Sequence, residues 1–188
     1  PHAYWYVEDG ASVPDRNIVD VARVFEEEIY PIVTETFGTE WTPGVDNDVH
    51  MTILHARLEG VLGYFSAVDE YPSSVHPNSN QREMIYLNVA IMGVGSSEYL
   101  AVLAHELQHA VHWRGDPTEE AWVSEGLSEL ATTVSGQRPG DYVGNFQQDT
   151  FLRFPSISLV NWPQHASANY GAAFLFFDYL SSHYGSPG

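Results

Sequence analysis

The chain of 188 residues has no cysteine and only 7 basic residues against 25 acidic ones, which gives a formal net charge of −18. Without cysteine, disulfide bonds play no part in the fold, and a zinc site that needs a cysteine ligand, as in deformylase-like amidases, is excluded. The negative field repels nucleic acid and anionic membrane surfaces, so we expect neither as a partner. It is compatible with a secreted protein that acts on cationic segments of a substrate.

Long apolar runs are missing as well. The run Ala172–Phe177 is far too short to span a bilayer, so no membrane insertion is expected. With 44% hydrophobic residues and no internal repeat, the chain can bury one good core, and we predict a single domain over residues 1–188. Neither methionine nor a signal segment precedes Pro1, which predicts a portion of a longer chain with a propeptide or flanking domains.

The most informative segment is His-Glu-Leu-Gln-His at residues 105–109. In a helix, His105 and His109 lie one turn apart on the same face, so both imidazoles can point at one zinc ion. Glu106 can reach a water on that ion and act as a general base, which is the arrangement of zinc hydrolases. Two solvated histidines on an amphipathic helix are the alternative interpretation. The cap at Ser96 and the stop at Gly115 predict a helix around the motif.

A second helix is predicted from about residue 117 to 135, with Asp116 as its N-cap and Glu119 completing a capping box. Glu125 and Glu129 are four residues apart and therefore share one face of this helix. One carboxylate could bind the metal, and the other could accept a hydrogen bond from a metal-bound imidazole. A solvated acidic face is the alternative, and it suits the first turn of the helix better.

Two observations disagree on which glutamate binds the metal. Residues 122–126, Trp-Val-Ser-Glu-Gly, resemble the Trp-Leu-x-Glu-Gly segment of gluzincin peptidases, which implies that Glu125 is the third ligand and that Glu129 is the acid bonded to the first histidine. Spacing favours the reverse, because Glu129 lies 20 residues after His109, close to the thermolysin interval, whereas Glu125 lies 16 after it. Glu129 as the ligand would leave Thr133 in the supporting position, so we favour Glu125.

The metzincin pattern does not fit this sequence. A metzincin carries a glycine and then a third histidine at fixed positions after the motif. Here His112 stands at the glycine position and Gly115 at the third-histidine position. We interpret His112, which shares a helix face with His105 and His109, as a polar neighbour near the helix end.

Several segments together resemble the hyicolysin family of secreted bacterial gluzincin metallopeptidases. They are residues 104–109, 122–126 and Asn169–Ala173, with weaker support from residues 63–65 and 79–84. The resemblance covers most of the chain and implies zinc-dependent peptide hydrolysis outside the cell. The Gly-x-Met-x-Asn strand of gluzincin aminopeptidases is not found, so we favour an endopeptidase over an exopeptidase. A catalytically weak peptide- or glycan-binding module is the other alternative, and the intact Glu106 argues against it.

The predicted order of elements follows the zincin plan, an α+β fold. It consists of a strand at His2–Val7, a helix at Asp15–Phe37 that Pro31 kinks or ends, strands at 49–54, 61–66 and 84–88, a loop at Tyr71–Arg82, the two helices above, and helices near 141–152 and 168–183. The resemblance implies a small twisted mixed sheet in the half that spans about 1–95, packed on the motif helix, and a mainly helical half over about 96–188.

An exposed edge strand is part of that plan, because a substrate can pair with it as an added strand. We assign this role to residues 61–66, with Gly63, Tyr64 and Phe65 as the candidate contacts. Gly63 would ease close backbone approach. An ordinary buried strand is the alternative.

Hydrolysis also needs a donor to the oxyanion besides the metal. Tyr170 matches the tyrosine that gluzincin aminopeptidases place before Gly-Ala at a helix start, and His165 is the alternative, similar in role to the downstream histidine of thermolysin. A core tyrosine is an equally good interpretation of Tyr170. The remaining histidines lack partner spacing and are interpreted as structural or solvated: His2, His50, His55, His76 and His183.

Two oxygen-rich segments, Asp46–Asp48 and Asp69–Glu70, could hold structural calcium. They lack the spacing of an EF-hand loop, so solvated turns are the alternative.

Overall fold

A four-stranded sheet and the helices packed on it form the fold in the computed structural model, which describes residues 1–162 and 167–185. The strands are β1 Ala3–Val7, β2 Met51–Ala56, β3 Gly63–Phe65 and β4 Met84–Asn88. Their order in the sheet is β1-β2-β4-β3; the first three are parallel and β3 is antiparallel to β4. The predicted α+β class and mixed sheet are therefore confirmed, and β3 lies at a sheet edge.

Helices follow the sheet and also connect β1 to β2. They are α1 Asp15–Val24, α2 Tyr30–Phe37, α3 Ser97–Gly115, α4 Ala121–Val134, α5 Val143–Arg153 and α6 Ser167–Tyr184, with a π-helical segment Phe25–Ile29 between α1 and α2 and a 3-10 turn Ala67–Glu70 after β3. Sequence patterns did not predict the 3-10 turn. The loop predicted over residues 71–82 contains no helix or strand.

The central strands β2 and β4 are buried on both faces, as parallel strands covered by helices usually are. β4 has the predicted bounds, but β2 begins two residues later than the predicted strand at 49–54. The Asp48 carboxylate accepts the backbone N–H of His50 at 3.0 Å, and this local turn keeps Val49 and His50 out of the ladder.

The first long helix does not end at Pro31. It continues to Phe37, and the π-helical segment before Pro31 absorbs one extra residue, with the Tyr30 amide donating to the Phe25 carbonyl. Proline lacks an N–H and its ring crowds the carbonyl four residues earlier, so a widened turn removes the clash without breaking the helix. Phe25 and Ile29 remain fully buried.

Helix α3 begins and ends where the sequence predicts. The Ser96 hydroxyl accepts the Tyr99 amide as an N-cap, and Gly115 is the last helical residue. The helix lies in the core, in contact with β3, β4, α2 and α4. Most of its residues from Tyr99 to Val111 are buried, so the His-Glu-Leu-Gln-His segment is inside the molecule.

The predicted start of α4 is wrong. The Asp116 carboxylate accepts the backbone N–H and the hydroxyl of Thr118, each at 2.9 Å, and this local turn delays the helix until Ala121. Glu119 and Glu120 therefore precede the helix instead of occupying its first turn. The C-terminal end of α4 agrees with the predicted end near Gly136, because this glycine adopts a positive φ of 73° after the last turn.

Candidate metal site and cleft

The three predicted metal ligands meet at one point between α3 and α4. The Nε2 atoms of His105 and His109 are 3.1 Å apart. Glu125 Oε2 lies 3.2 Å from the first and 3.5 Å from the second. In the described part of the chain, this is the one group of three or more potential metal-binding side chains whose donor atoms converge.

The geometry fits a metal ion. Ligand atoms of a tetrahedral zinc site, each roughly 2.0–2.1 Å from the ion, lie roughly 3.3–3.4 Å from one another. The three distances among His105, His109 and Glu125 bracket that value. Glu129, the alternative ligand, does not join this triangle.

The other ring nitrogens of the two histidines face polar side chains. His105 Nδ1 lies 3.5 Å from Glu129 Oε1, and His109 Nδ1 lies 3.0 Å from the Ser124 hydroxyl and 3.1 Å from the Ser128 hydroxyl. Such contacts orient a metal-binding imidazole and select its tautomer. The sequence offered a signal for the two serines that we did not use: each precedes one of the glutamates by one residue.

Glu129 is itself held by the chain that follows α4. Arg138 Nη1 donates to Glu129 Oε2 at 2.8 Å, and the Tyr142 hydroxyl donates to Oε1 at 3.3 Å. Burial would raise the pKa of Glu129, but the hydrogen bonds from His105 and Arg138 outweigh it and the pKa is lowered. A carboxylate that stays ionised can accept a hydrogen bond from the Nδ1–H group of His105.

Protonation of the three-residue group reflects two opposing effects. Burial alone would lower the pKa of His105, but hydrogen bonds to Glu125 and Glu129 raise it well above its ordinary value. Burial likewise opposes ionisation of Glu125, yet its bonds to the two imidazoles depress its pKa. The site therefore favours positive charge at its centre, which a proton or a metal cation can supply.

Glu106 lies beside this group and contacts the sheet edge. Its Oε2 accepts the backbone N–H of Phe65 at 2.9 Å. Burial is the main reason that the pKa of Glu106 is raised, with the positive imidazoles opposing the shift. A carboxylate whose pKa is raised towards neutrality is a better general base than one that is fully solvated.

A cleft of about 920 Å³ borders these groups, with β3 on one side and helices α3 to α6 around it. Tyr170 lines it, and its hydroxyl approaches Glu125. Burial and the charges of Glu125 and Glu106 raise the pKa of Tyr170, so this phenol stays protonated and can donate. His165 lies outside the described residues. His112 lines the cleft, with Nδ1 3.5 Å from the Gln108 amide, and is not among the converging ligands.

The other histidines make structural contacts. His55 bridges the Tyr6 carbonyl and the Tyr99 hydroxyl, His2 and His50 pair with Glu26 and Asp48, His76 packs against Tyr71, and His183 bonds to the Tyr179 carbonyl. The contacts of Arg138, Tyr142 and the Phe65 amide with the site could not be predicted from the sequence, because each group reaches the site through tertiary folding.

Comparison of the chain with protein-family models and with curated proteins finds no match. None of the described helices combines the length and the apolar character needed to cross a membrane.

Proposed function

We propose that this chain is a zinc-dependent endopeptidase of the zincin type that acts on extracellular proteins. The observation that carries the proposal is the converging group His105, His109 and Glu125, with Glu106 beside it in a cleft bordered by an edge strand. Two imidazoles and one carboxylate are the ligands of several catalytic zinc sites, which leave a fourth position for water or substrate. The deficit of basic residues suits cationic segments of a protein substrate.

Zinc bound there would lower the pKa of a water and polarise the scissile carbonyl. Glu106 takes the proton from the attacking water and then delivers it to the leaving amine. The Phe65 amide holds one oxygen of Glu106, so the other is free to face the reacting water. Tyr170 donates a hydrogen bond to the oxyanion as the carbonyl becomes tetrahedral.

The strand register supports β3 as the strand that pairs with substrate. The Asn88 amide donates to the Leu62 carbonyl at 2.8 Å, so this pair and the pair Tyr64–Tyr86 are the hydrogen-bonded ones in the antiparallel ladder. The backbone groups of Gly63 and Phe65 then point away from β4. An extended peptide could form hydrogen bonds with the N–H and C=O groups of Gly63 and with the C=O group of Phe65. The Phe65 N–H group already donates to Glu106.

Gly63 allows a close approach of backbone within the fold itself. A Cβ atom on this residue would lie 2.8 Å from a Val102 methyl group and 2.9 Å from the Tyr86 carbonyl oxygen. The glycine therefore lets β3 approach α3 and β4, and it brings the Phe65 amide to Glu106. Contact with substrate through the Gly63 backbone stays part of the proposal.

Replacing Glu106 by glutamine tests the proposal. The amide keeps the shape but cannot take the proton, so we expect one zinc per chain, an unchanged melting temperature and roughly 10²–10⁴-fold slower cleavage of casein. Glu98→Gln, on the same helix but in its first turn, is the matched control and should keep wild-type turnover. Mass spectrometry of the products should show internal cleavage. Near wild-type turnover by Glu106→Gln, or removal of terminal residues alone, would contradict the proposal.

A further inference from the structure

A pair of buried glutamates, Glu70 and Glu83, lies outside the catalytic cleft, and within residues 1–162 and 167–185 neither forms a salt bridge with a basic side chain. Each side chain is only 2% exposed. Their carboxyl groups are within hydrogen-bonding contact of each other. Glu70 Oε2 has no hydrogen-bond partner although it is buried. Two carboxyl groups in this arrangement need either a shared proton or a cation, because an unpaired buried charge is costly.

The loop before β2 wraps around this pair. The Val45 amide donates to Glu83 Oε1 at 3.1 Å, and the backbone at Gly44 is so close to the same carboxylate that no side chain fits there. Asp46 follows directly, is exposed to solvent, and its charge acts on both glutamates. Glu83, which was not predicted, thus contacts Glu70 in one of the two segments considered for calcium and Val45, the residue before the other segment.

The neighbouring groups add negative charge rather than compensate for it. Asp69 is buried next to Glu70, and its oxygens are already used by the Asn80 amide at 2.7 Å and the Tyr86 hydroxyl at 2.6 Å. The carboxylates of Glu83, Asp69 and Asp46 all raise the pKa of Glu70. The site therefore attracts a cation.

We propose that the buried pair of Glu70 and Glu83 binds a calcium ion. Calcium takes 6–8 oxygen ligands in flexible geometry, and two carboxylates leave positions for loop carbonyls and water. Magnesium requires near-ideal octahedral geometry and retains its waters, so it fits a buried carboxylate pair less well. Zinc is disfavoured here, because both proposed ligands are carboxylates and neither is a histidine or a cysteine.

The ion would connect two segments of the chain, because Glu70 ends the 3-10 turn that follows β3 and Glu83 immediately precedes β4. The loop before β2 is attached at the same place by the Val45 amide, which donates to Glu83. Bound calcium would thus fix the chain just after the short edge strand. Calcium binding at this pair does not depend on the peptidase assignment, because Glu70 and Glu83 do not line the cleft.

Thermal unfolding with added calcium chloride tests this proposal. In the zinc-saturated protein, millimolar calcium should raise Tm by several degrees, and equilibrium dialysis should find one calcium per chain. Glu70→Gln and Glu83→Gln should each lose both effects. Glu59→Gln, which removes an exposed carboxylate in the loop after β2, should retain them, and magnesium chloride should give a much smaller increase.

Three results would overturn the proposal: no bound calcium in the wild-type chain, an undiminished calcium effect in Glu70→Gln and Glu83→Gln, or an equal effect of magnesium. The first result, combined with a higher Tm for Glu70→Gln in calcium-free buffer, would assign a shared proton to the pair instead. Dialysis of the wild-type chain decides the matter even if one variant fails to fold. Casein cleavage is not used as a readout, so failure of the calcium site and failure of the peptidase proposal remain distinguishable.

Discussion

At the scale of single residues, the candidate metal site is organised so that each imidazole has one nitrogen towards the shared centre and one towards a fixed partner. His105 Nδ1 faces Glu129 at 3.5 Å, and His109 Nδ1 is within hydrogen-bonding distance of Ser124 and Ser128. Glu129 is fixed in turn by Arg138. Orientation of this kind matters because a ligand that is already in place loses less side-chain freedom when the metal binds.

Comparing alanine variants of Glu125 and Glu129 is the sharpest test at this scale, because the two glutamates are assigned different roles. Glu125→Ala removes a ligand atom, so zinc affinity should fall by more than about 100-fold, whereas Glu129→Ala removes only the partner of His105 and should cost roughly 10–100-fold. Competition with a chelating dye measures both constants. Thr133→Ser is the control, because Thr133 is exposed on the same helix, and this variant should bind zinc normally. A larger loss for Glu129→Ala would assign the ligand role to Glu129.

Site residues could be predicted from the sequence where their contacts are local in the chain. The spacing of His105 and His109 on one helical turn determines that they converge, whatever the rest of the fold does. The Phe65 amide and the Arg138 guanidinium lie 41 and 9 residues from their carboxylate partners, and no periodicity records such contacts. Their identification required the folded chain.

At the scale of elements, the types of helix and strand followed from hydrophobic patterns, while several boundaries did not. Asp116 was a plausible N-cap, but its carboxylate captures Thr118 instead, so α4 starts later. Asp48 shortens β2 by the same mechanism. Aspartate bonds to nearby backbone amides in turns as readily as at helix starts, and sequence alone does not distinguish the two.

The contact between α4 and α6 provides the prediction at this scale. A Cβ atom on Gly126 would lie 2.6 Å from Phe177 Cδ2 and 2.9 Å from the Ala173 carbonyl oxygen. Gly126→Ala should therefore separate the two helices and destabilise the fold by about 1–3 kcal/mol, although alanine favours the helix by up to about 1 kcal/mol. Zinc affinity should also fall, because Glu125 is the preceding residue.

Urea unfolding of the zinc-loaded protein measures the change. Gly115→Ala is the matched control, since it lies at the end of α3 with no atom within 4 Å of the added Cβ, and it should be neutral or slightly stabilising. Equal stability of the two variants would show that α4 and α6 tolerate a wider separation.

At the scale of the whole molecule, the excess of acidic residues affects where protons and cations bind. With a formal charge of −18, a carboxyl group that is removed from solvent among other carboxylates has few basic side chains to pair with. Arg138 pairs with Glu129, and His105 contacts Glu125, but Glu83, Asp69 and Asp46, which act on Glu70, are themselves carboxylates. The same surplus of charge that suits a cationic substrate therefore makes stability depend on pH.

Burial and the neighbouring carboxylates raise the pKa of Glu70 from 4.5 to about 9. The folded chain then holds a proton that the unfolded chain releases, so in calcium-free buffer the wild type should lose stability as pH rises from about 4.5 to 9. Glu70→Gln cannot titrate there. Relative to this variant, the unfolding free energy of the wild type should fall by on the order of a few kcal/mol across that window and stay level below it. Saturating calcium, which binds the deprotonated pair, should abolish this dependence of stability on pH.

Urea unfolding at several pH values measures the difference in unfolding free energy between wild type and Glu70→Gln. Contributions from the metal cleft cancel in this difference. Glu59→Gln should keep the wild-type slope, and parallel pH profiles for wild type and Glu70→Gln would show that the glutamate pair does not take up the proton.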